Sequence, residues 1–458
     1  MLKRHKVDRM VKKIVLACAV FALSLVGALS GARADGPQET ARRVLQMTGV
    51  EGGLVVHYGC GNGRLTAALR AHDGFLVQGL ARESEPVKKA RKYVRSTGKY
   101  GPVSVQQWNA ERLPYVDNLV NLFVATEPPD VPQREIMRVL APGGVACVLR
   151  DGKWTKSVKQ RPDTIDEWTH HFHDATNNAV ARDKVVGPPR HMQWQGWPRW
   201  ARHHDRMASL SACVTAGDRL FYIMDEGPRA AIMLPPRWRL VARNAFSGKI
   251  LWKREIPRWH PHLWPMKSGY AQLPRRLVAS GDRVYTTLGL EEPLKCLDAA
   301  TGETIRTYPD TRCTREVLFS DGVLYVVAKK APPIHEDFRP AYKGHMWNAM
   351  RRAAHDWPWD ETERRIMAME ADTGEVLWSS SQHVAPLSLA IGEDGVYFHD
   401  GMRVVRLDRQ TGRKMWESGK VAIHFPYPGK TRGEDWAPES IKRAFVPTSF
   451  GPSLVVHG

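Results

Sequence analysis

The chain has 458 residues, 67 Lys and Arg against 48 Asp and Glu, and a formal net charge of +19. That charge favours anionic partners such as lipid headgroups, acidic polysaccharide or nucleic acid; its plainer reading is a solvated basic surface with no specific nucleic-acid site. Six widely separated cysteines, no two adjacent, supply neither a disulfide framework nor zinc-site spacing.

Lys3, Arg4, Lys6, Arg9, Lys12 and Lys13 precede an apolar run from Ile14 to Leu29, and Ala32-Arg33-Ala34 has the small-x-small form of a cleavage site. Residues 1–34 therefore read as a secretory signal peptide, and the mature protein is expected to be exported, periplasmic or extracellular. The run falls short of the roughly 20 residues that a span requires, so an integral membrane protein is not expected. A lipoprotein site at Cys18 would leave too short an apolar stretch before it. Without the leader, which carries seven Lys and Arg against Asp8, the net charge is +13.

Residues 35–152 read as an α/β domain. Gly53-Leu-Val-Val-His57-Tyr58-Gly59-Cys60-Gly61-Asn62-Gly63-Arg64 predicts a buried strand, a glycine-rich turn and a helix start, where backbone can approach a ligand near a helix N-terminus. A second strand (75–80), a helix (85–95), Trp108-Asn109-Ala110-Glu111, a strand (118–125) and Leu140-Ala-Pro142-Gly143-Gly144 come next. In that order the motifs resemble class I S-adenosylmethionine-dependent methyltransferases, which implies a Rossmann-like doubly wound sheet with the ligand at the strand C-terminal ends. The resemblance assigns cofactor contacts to Gly59, Gly61, Gly63, His57, Glu83 and Asn109 and identifies no catalytic residue. It is broken in three places. His57 stands where relatives have an acid, Ala81 stands where they hold the ribose hydroxyls with a carboxylate, and the sheet is expected to stop at five strands after residue 149. S-adenosylmethionine is therefore expected to bind weakly, with Glu83 the nearest substitute for the missing carboxylate.

Residues 153–193 are predicted to form a His- and Trp-rich linker. Asp166-Glu167-Trp168-Thr169-His170-His171-Phe172-His173-Asp174 concentrates imidazoles and carboxylates, and Trp197, Trp200, His203, His204 and Asp205 echo it. On a strand, His171 and His173 would share one face and His170 the other. That spacing fits no zinc rule, so no metal site is assigned and the rings are expected to lash the linker to the first blade of the C-terminal domain. Trp259-His260-Pro261-His262-Leu263-Trp264 is a similar cluster, expected in a loop at a central funnel.

From residue 194 to 458 one phrase recurs. Asn244-Ala-Phe-Ser247-Gly248, Asp298-Ala-Ala-Thr301-Gly302, Glu370-Ala-Asp-Thr373-Gly374 and Asp408-Arg-Gln-Thr411-Gly412 are followed four residues after Gly by Trp252, Arg306, Trp378 and Trp416. The acid or Asn caps its own turn and Gly supplies the positive φ, while the Trp is predicted to wedge between blades, with Arg306 a weaker dock. Such a repeat is the signature of an all-β propeller. It resembles the pyrroloquinoline-quinone-like (PQQ-like) repeat of quinoprotein dehydrogenases and BamB-type propellers. PQQ itself is not expected, since relatives that bind it use a vicinal disulfide. Residues 450–458 read as the opening strand of a fifth blade, left truncated.

A methyltransferase-like domain, a His-rich linker and quinone-type blades behind a signal peptide together resemble exported propeller proteins of planctomycete-type bacteria. That arrangement points to a cell-envelope binding or assembly scaffold whose partner is an envelope protein or an anionic ligand. The alternatives are an active methyltransferase and a quinone-dependent oxidoreductase.

Overall fold

The computed structural model describes residues 36–185, 187, 192–196, 210–228, 230, 234–260, 272–329, 363–421 and 453–457. The leader, residues 197–205 and residues 261–264, which carried part of the sequence-based expectations, lie outside the described residues.

Helix α1 (Pro37–Thr48) opens on a proline at its first position and stops at Gly49, whose φ of 69° a side chain would resist. Then come β1 (Gly53–Tyr58), α2 (Arg64–Ala68), β2 (Phe75–Ala81), α3 (Ser84–Ser96), β3 (Val103–Gln107), β4 (Val120–Ala125), α4 (Gln133–Val139), β5 (Leu140–Arg150) and β6 (Lys153–Val158). They form one sheet in the order β3-β2-β1-β4-β5-β6, parallel except for the β5–β6 pair. Both faces are covered, so β1 and β4 are buried at every position. On one face Val55, Val77 and Val124 pack against Val44, Ala67 and Val94; on the other, Val56, Phe123 and Val148 pack against Ile136 and Val139.

The sheet corrects the expectation of five strands. Residues read as the start of the linker fold back as β6, through a turn in which Asp151 and Gly152 both adopt positive φ, 50° and 73°. That is the backbone a two-residue hairpin requires. Because β6 is an exposed, polar edge, it carries no apolar alternation to betray it.

Beyond residue 209 the described residues form four antiparallel sheets, each of four strands in sequence order. They are β7 (Leu210–Ala216), β8 (Arg219–Asp225), β9 (Trp238–Asn244) and β10 (Ile250–Ile256); β11 (Leu277–Ser280), β12 (Arg283–Thr287), β13 (Leu294–Asp298) and β14 (Thr304–Tyr308); β15 (Thr314–Ser320), β16 (Val323–Ala328), β17 (Arg364–Glu370) and β18 (Val376–Gln382); and β19 (Ala390–Ile391), β20 (Gly395–His399), β21 (Val404–Asp408) and β22 (Lys414–Glu417). These are the blades of an incomplete propeller. The recurring phrase makes the turn between third and fourth strands. Asp298 Oδ1, for example, accepts from the amides of Ala300 and Thr301 and from Thr301 Oγ1 at 2.8–3.0 Å, and Gly302 closes the turn at φ 74°.

Each such glycine receives an aromatic ring. Two rings come from the Trp of the fourth strand of the preceding blade: Trp252 lies over Gly302 and Trp378 over Gly412, each too close for a Cβ to be added, and their Nε1 atoms donate at 2.9 Å to Ala299 O and Arg409 O. Two departures from the expected pattern stand out. Between the second and third blades Tyr308 supplies the ring, its hydroxyl donating at 2.5 Å to Ala371 O, and Arg306 shares the dock as expected, its Cδ and the Tyr308 ring both 3.4 Å from where a Cβ on Gly374 would be. Trp416 does not wedge at all and is 50% exposed. A fourth ring, unforeseen, is Trp194, which covers Gly248 of the first blade and donates to Ala245 O at 2.8 Å.

The linker residues 168–176 run past the first strands of the blades in turn. Thr215 N donates to Trp168 O (2.7 Å), Ala279 N to Thr169 O (3.0 Å), Phe319 N to His170 Nε2 (3.0 Å) and Ile391 N to Ala175 O (2.8 Å). The segment is therefore an axle, and each first strand reaches it with one amide. It is held by Asn177, whose Nδ2 donates to Leu389 O and whose Oδ1 accepts from Arg275 Nη1 at 2.6 Å. Arg275 in turn pairs with Glu316 at 3.2 Å, both buried, and Glu316 Oε1 accepts from Gln272 Nε2 and Leu387 N. A buried ion pair persists only when its remaining donors and acceptors are matched, as they are here.

Candidate functional site

The glycine turn leaves β1 at the C-terminal edge of the parallel sheet. Gly59 N and Cys60 N both donate to Leu80 O, at 2.9 and 3.0 Å, which ties the turn to β2. Gly59, Gly61 and Gly63 have φ of 74°, 49° and 79°, but their duties differ. A Cβ on Gly63 would lie 2.8 Å from Ala90 Cα in α3, so this glycine serves helix packing. Gly61 meets only Gly59 O at 4.0 Å, leaving the tip of the turn open for a ligand to approach the backbone.

His57 faces away from that opening. Its Nδ1 bonds to Thr66 Oγ1 of α2 at 2.8 Å, its ring is buried, and burial pushes its pKa down to about 4. At neutral pH it is uncharged and cannot reproduce the acid that relatives carry. Ala81, buried at the end of β2, offers no polar atom beyond its backbone. Glu83 is the exposed N-cap residue of α3 and makes no side-chain cap bond, and Asn109 is exposed beyond β3. The structure brings the three glycines together as one turn and leaves Glu83 and Asn109 on the surface.

Other residues at this edge are not evident from sequence motifs. Glu127, two residues beyond β4, places Oε1 3.3 Å from where a Cβ on Gly59 would be. Arg82 pairs with Asp130 at 3.0 Å, and Tyr115 donates to Gln78 Oε1 at 2.8 Å. The signal for Glu127 lay in the topology, since β1 and β4 are adjacent and parallel and the residues leaving both emerge at one edge. The fit to S-adenosylmethionine is thus mixed. The open turn admits a ligand, but no carboxylate stands at the end of β2 to grip a ribose, and no methyl-transfer step is derived.

The histidine-rich segment is a framework element. No strand forms there: His170 and His173 exchange backbone bonds of 3.1 and 3.2 Å across a tight turn in which His173 has φ 71°, and both rings are buried. They therefore do not alternate between faces as a strand would require. His170 Nδ1 bonds to Thr169 Oγ1 and His173 Nε2 to Asp166 Oδ2, each at 2.7 Å. Among the described residues no group of three His, Cys, Asp or Glu could hold a metal. Trp259 and His260 are likewise buried in the first blade, Trp259 Nε1 donating to Ser211 Oγ and His260 O accepting from Trp238 Nε1.

Residues 236–422 match the family model described as outer membrane protein assembly factor BamB, and residues 55–144 match a methyltransferase domain model. The chain joins a methyltransferase-type domain to BamB-type blades. No curated protein matches it. Among solved structures it is similar to one from Methanococcus maripaludis described as an S-adenosyl-L-methionine-dependent methyltransferase, at 24% identity over 24% of this chain and 53% of that one, TM-score 0.23. The [4+2]-cyclase SpnF is 26% identical over 24% and 43%, TM-score 0.23. Geranyl diphosphate C-methyltransferase from Streptomyces coelicolor A3(2) is 19% identical over 24% and 43%, TM-score 0.22. The chain spans about half the length of these structures.

Proposed function

We propose that this protein is an exported cell-envelope binding or assembly scaffold whose methyltransferase-type domain is a degenerate S-adenosylmethionine cradle. The observation that carries the reading is Ala81, a buried methyl group where a ribose-holding carboxylate is needed. The propeller supports the same reading, because its axis is taken by the chain's own residues 168–176 and the rim is left to meet partners. An envelope protein or an anionic ligand suits the basic mature chain. Among the described residues no helix is long and apolar enough to cross a membrane.

Calorimetric titration of the mature chain with S-adenosylmethionine should show no saturation at micromolar ligand. Ala81→Asp should tighten binding by roughly tenfold or more, since each charged hydrogen bond to a ribose hydroxyl contributes about 1.5–3 kcal/mol. Saturable micromolar binding by the unaltered chain, left unchanged by Ala81→Asp, would return the domain to the enzymes.

A further inference from the structure

The seam between neighbouring blades recurs around the propeller, and its first and third copies differ in what lies on them. Between the first and second blades, Arg219, Leu251 and Ala300 line a recess of about 140 Å³ whose other wall is the α/β domain, at residues 49–52 and 142–144. Arg219 reaches Glu51 at 3.2 Å there, and Leu251 packs against Gly52. In the repeat, Arg219 corresponds to Val323, just past the first turn of its blade, Leu251 to Leu377, just before the fourth-strand Trp, and Ala300 to Gln410, in the phrase of the next blade. These three line the seam between the third and fourth blades, a groove of about 740 Å³ whose described lining comes from the two blades alone.

The bare seam also differs in charge. Where the first presents Arg219 to a carboxylate, the third sets Asp321, Glu393, Asp394 and Asp408 around Val323 and the half-exposed Leu377. Arg409 and Arg406 offset two of these acids, pairing with Asp321 and Asp394 at 2.6 and 2.8 Å, and leave the rim negative through Glu393 and Asp408. On a chain of formal net charge +19, an acidic groove with an apolar floor calls for a cationic occupant that carries an exposed apolar group. The chain has such a surface. α3 buries Val87, Ala90 and Val94, and its exposed Lys88, Lys92 and Arg95, at i, i+4 and i+7, form one stripe. The Arg95 guanidinium lies 4.9 Å from the ring centroid of Tyr100, which is itself 45% exposed.

We propose that the seam between the third and fourth blades is the docking groove for α3 of a second copy of this chain, the stripe meeting the acidic rim and Tyr100 the floor at Leu377. Groove and helix are different surfaces, so the contact is heterologous and copies add head to tail. In sedimentation velocity at roughly 0.05 M salt, the mass of the mature chain should rise past a dimer between about 1 and 100 µM, and about 0.5 M salt should weaken the association tenfold or more. Glu393→Lys with Gln410→Lys reverses the groove, and Lys88→Glu with Lys92→Glu reverses the helix, all at exposed positions. Each double variant alone should stay monomeric while melting like the parent. Mixed in equal amounts they should associate again, since every helix then finds a groove of opposite sign. A parent that stays monomeric at about 100 µM and low salt overturns the proposal and gives the groove to a different basic partner. Association that survives both reversals overturns it too, as does a mixture that stays monomeric. Should a variant fail to fold, hydroxyl-radical labelling of Tyr100 in the parent decides. Labelling that falls as the copies associate supports the contact, and labelling that stays constant overturns it.

Discussion

Trp252 and Trp378 bury an indole against a glycine and satisfy its N–H in the same contact, so each removes both packing and a matched donor when truncated. Trp252→Ala and Trp378→Ala should each cost about 3–5 kcal/mol by large-to-small core logic. Trp416→Ala, on a half-exposed ring, should stay near the roughly 0.5 kcal/mol of a surface change. Tyr308→Phe leaves Ala371 O without its donor and should cost about 1 kcal/mol. Urea melts of the four variants at equal m-value decide it, and a Trp416→Ala loss as large as that of Trp378→Ala would contradict the arrangement. The rings of Trp252 and Trp378, at fixed spacing after Ser-Gly and Thr-Gly, were legible in the sequence. Tyr308 was not, because it reaches the same turn from two residues further along the strand, on the face it shares with Arg306. Nor was Trp194, which precedes any turn of the repeat.

The axle shows why an element without regular structure can be indispensable. It has no periodicity to read, and its conformation is set by the unmatched amides of the first strands around it. Asn177 is its anchor, matching two carbonyls and one guanidinium nitrogen in a buried setting. Asn177→Ala strands those partners away from water and should cost on the order of 3 kcal/mol, whereas Asn178→Ala nearby should cost little. Equal melting of the two variants would remove the axle from the account of stability. The glycine turn, by contrast, was plain in the sequence, since backbone at positive φ accepts few other residues. What could not be read there was where side chains point: His57 turns into the layer of α2, and Glu127 enters the cradle from the end of β4, a neighbour in the sheet but distant in the chain. β6 escaped for a third reason, a polar edge strand having the composition of a linker.

At the scale of the molecule, the methyltransferase-type domain sits on the first two blades by the edge opposite its cradle. Leu251 packs where a Cβ on Gly52 would be, 2.6 Å away, and Arg219 joins Glu51 to Asp282 at 3.2 and 3.1 Å. The cradle at the other edge stays open. Each body also buries a neutral imidazole: burial holds His57 at a pKa of about 4, and burial with the nearby charge of Arg275 holds His170 at about 3. Unfolded, both titrate near 6.5, so their stabilising contribution is full above that pH and is lost as the pH falls toward 4. The loss should reach about 3 kcal/mol per ring, and His57→Gln should make the decline shallower; stability unchanged between about pH 7 and 4.5 would refute it. The axle has one more consequence, which concerns time. Its acceptors at Trp168, Thr169, His170 and Ala175 serve the first strands of the four blades in the order in which a ribosome would make them. Since the N-terminal parts of a chain fold first during synthesis, each blade emerges to a partner already made, and none has to wait for the circle to close.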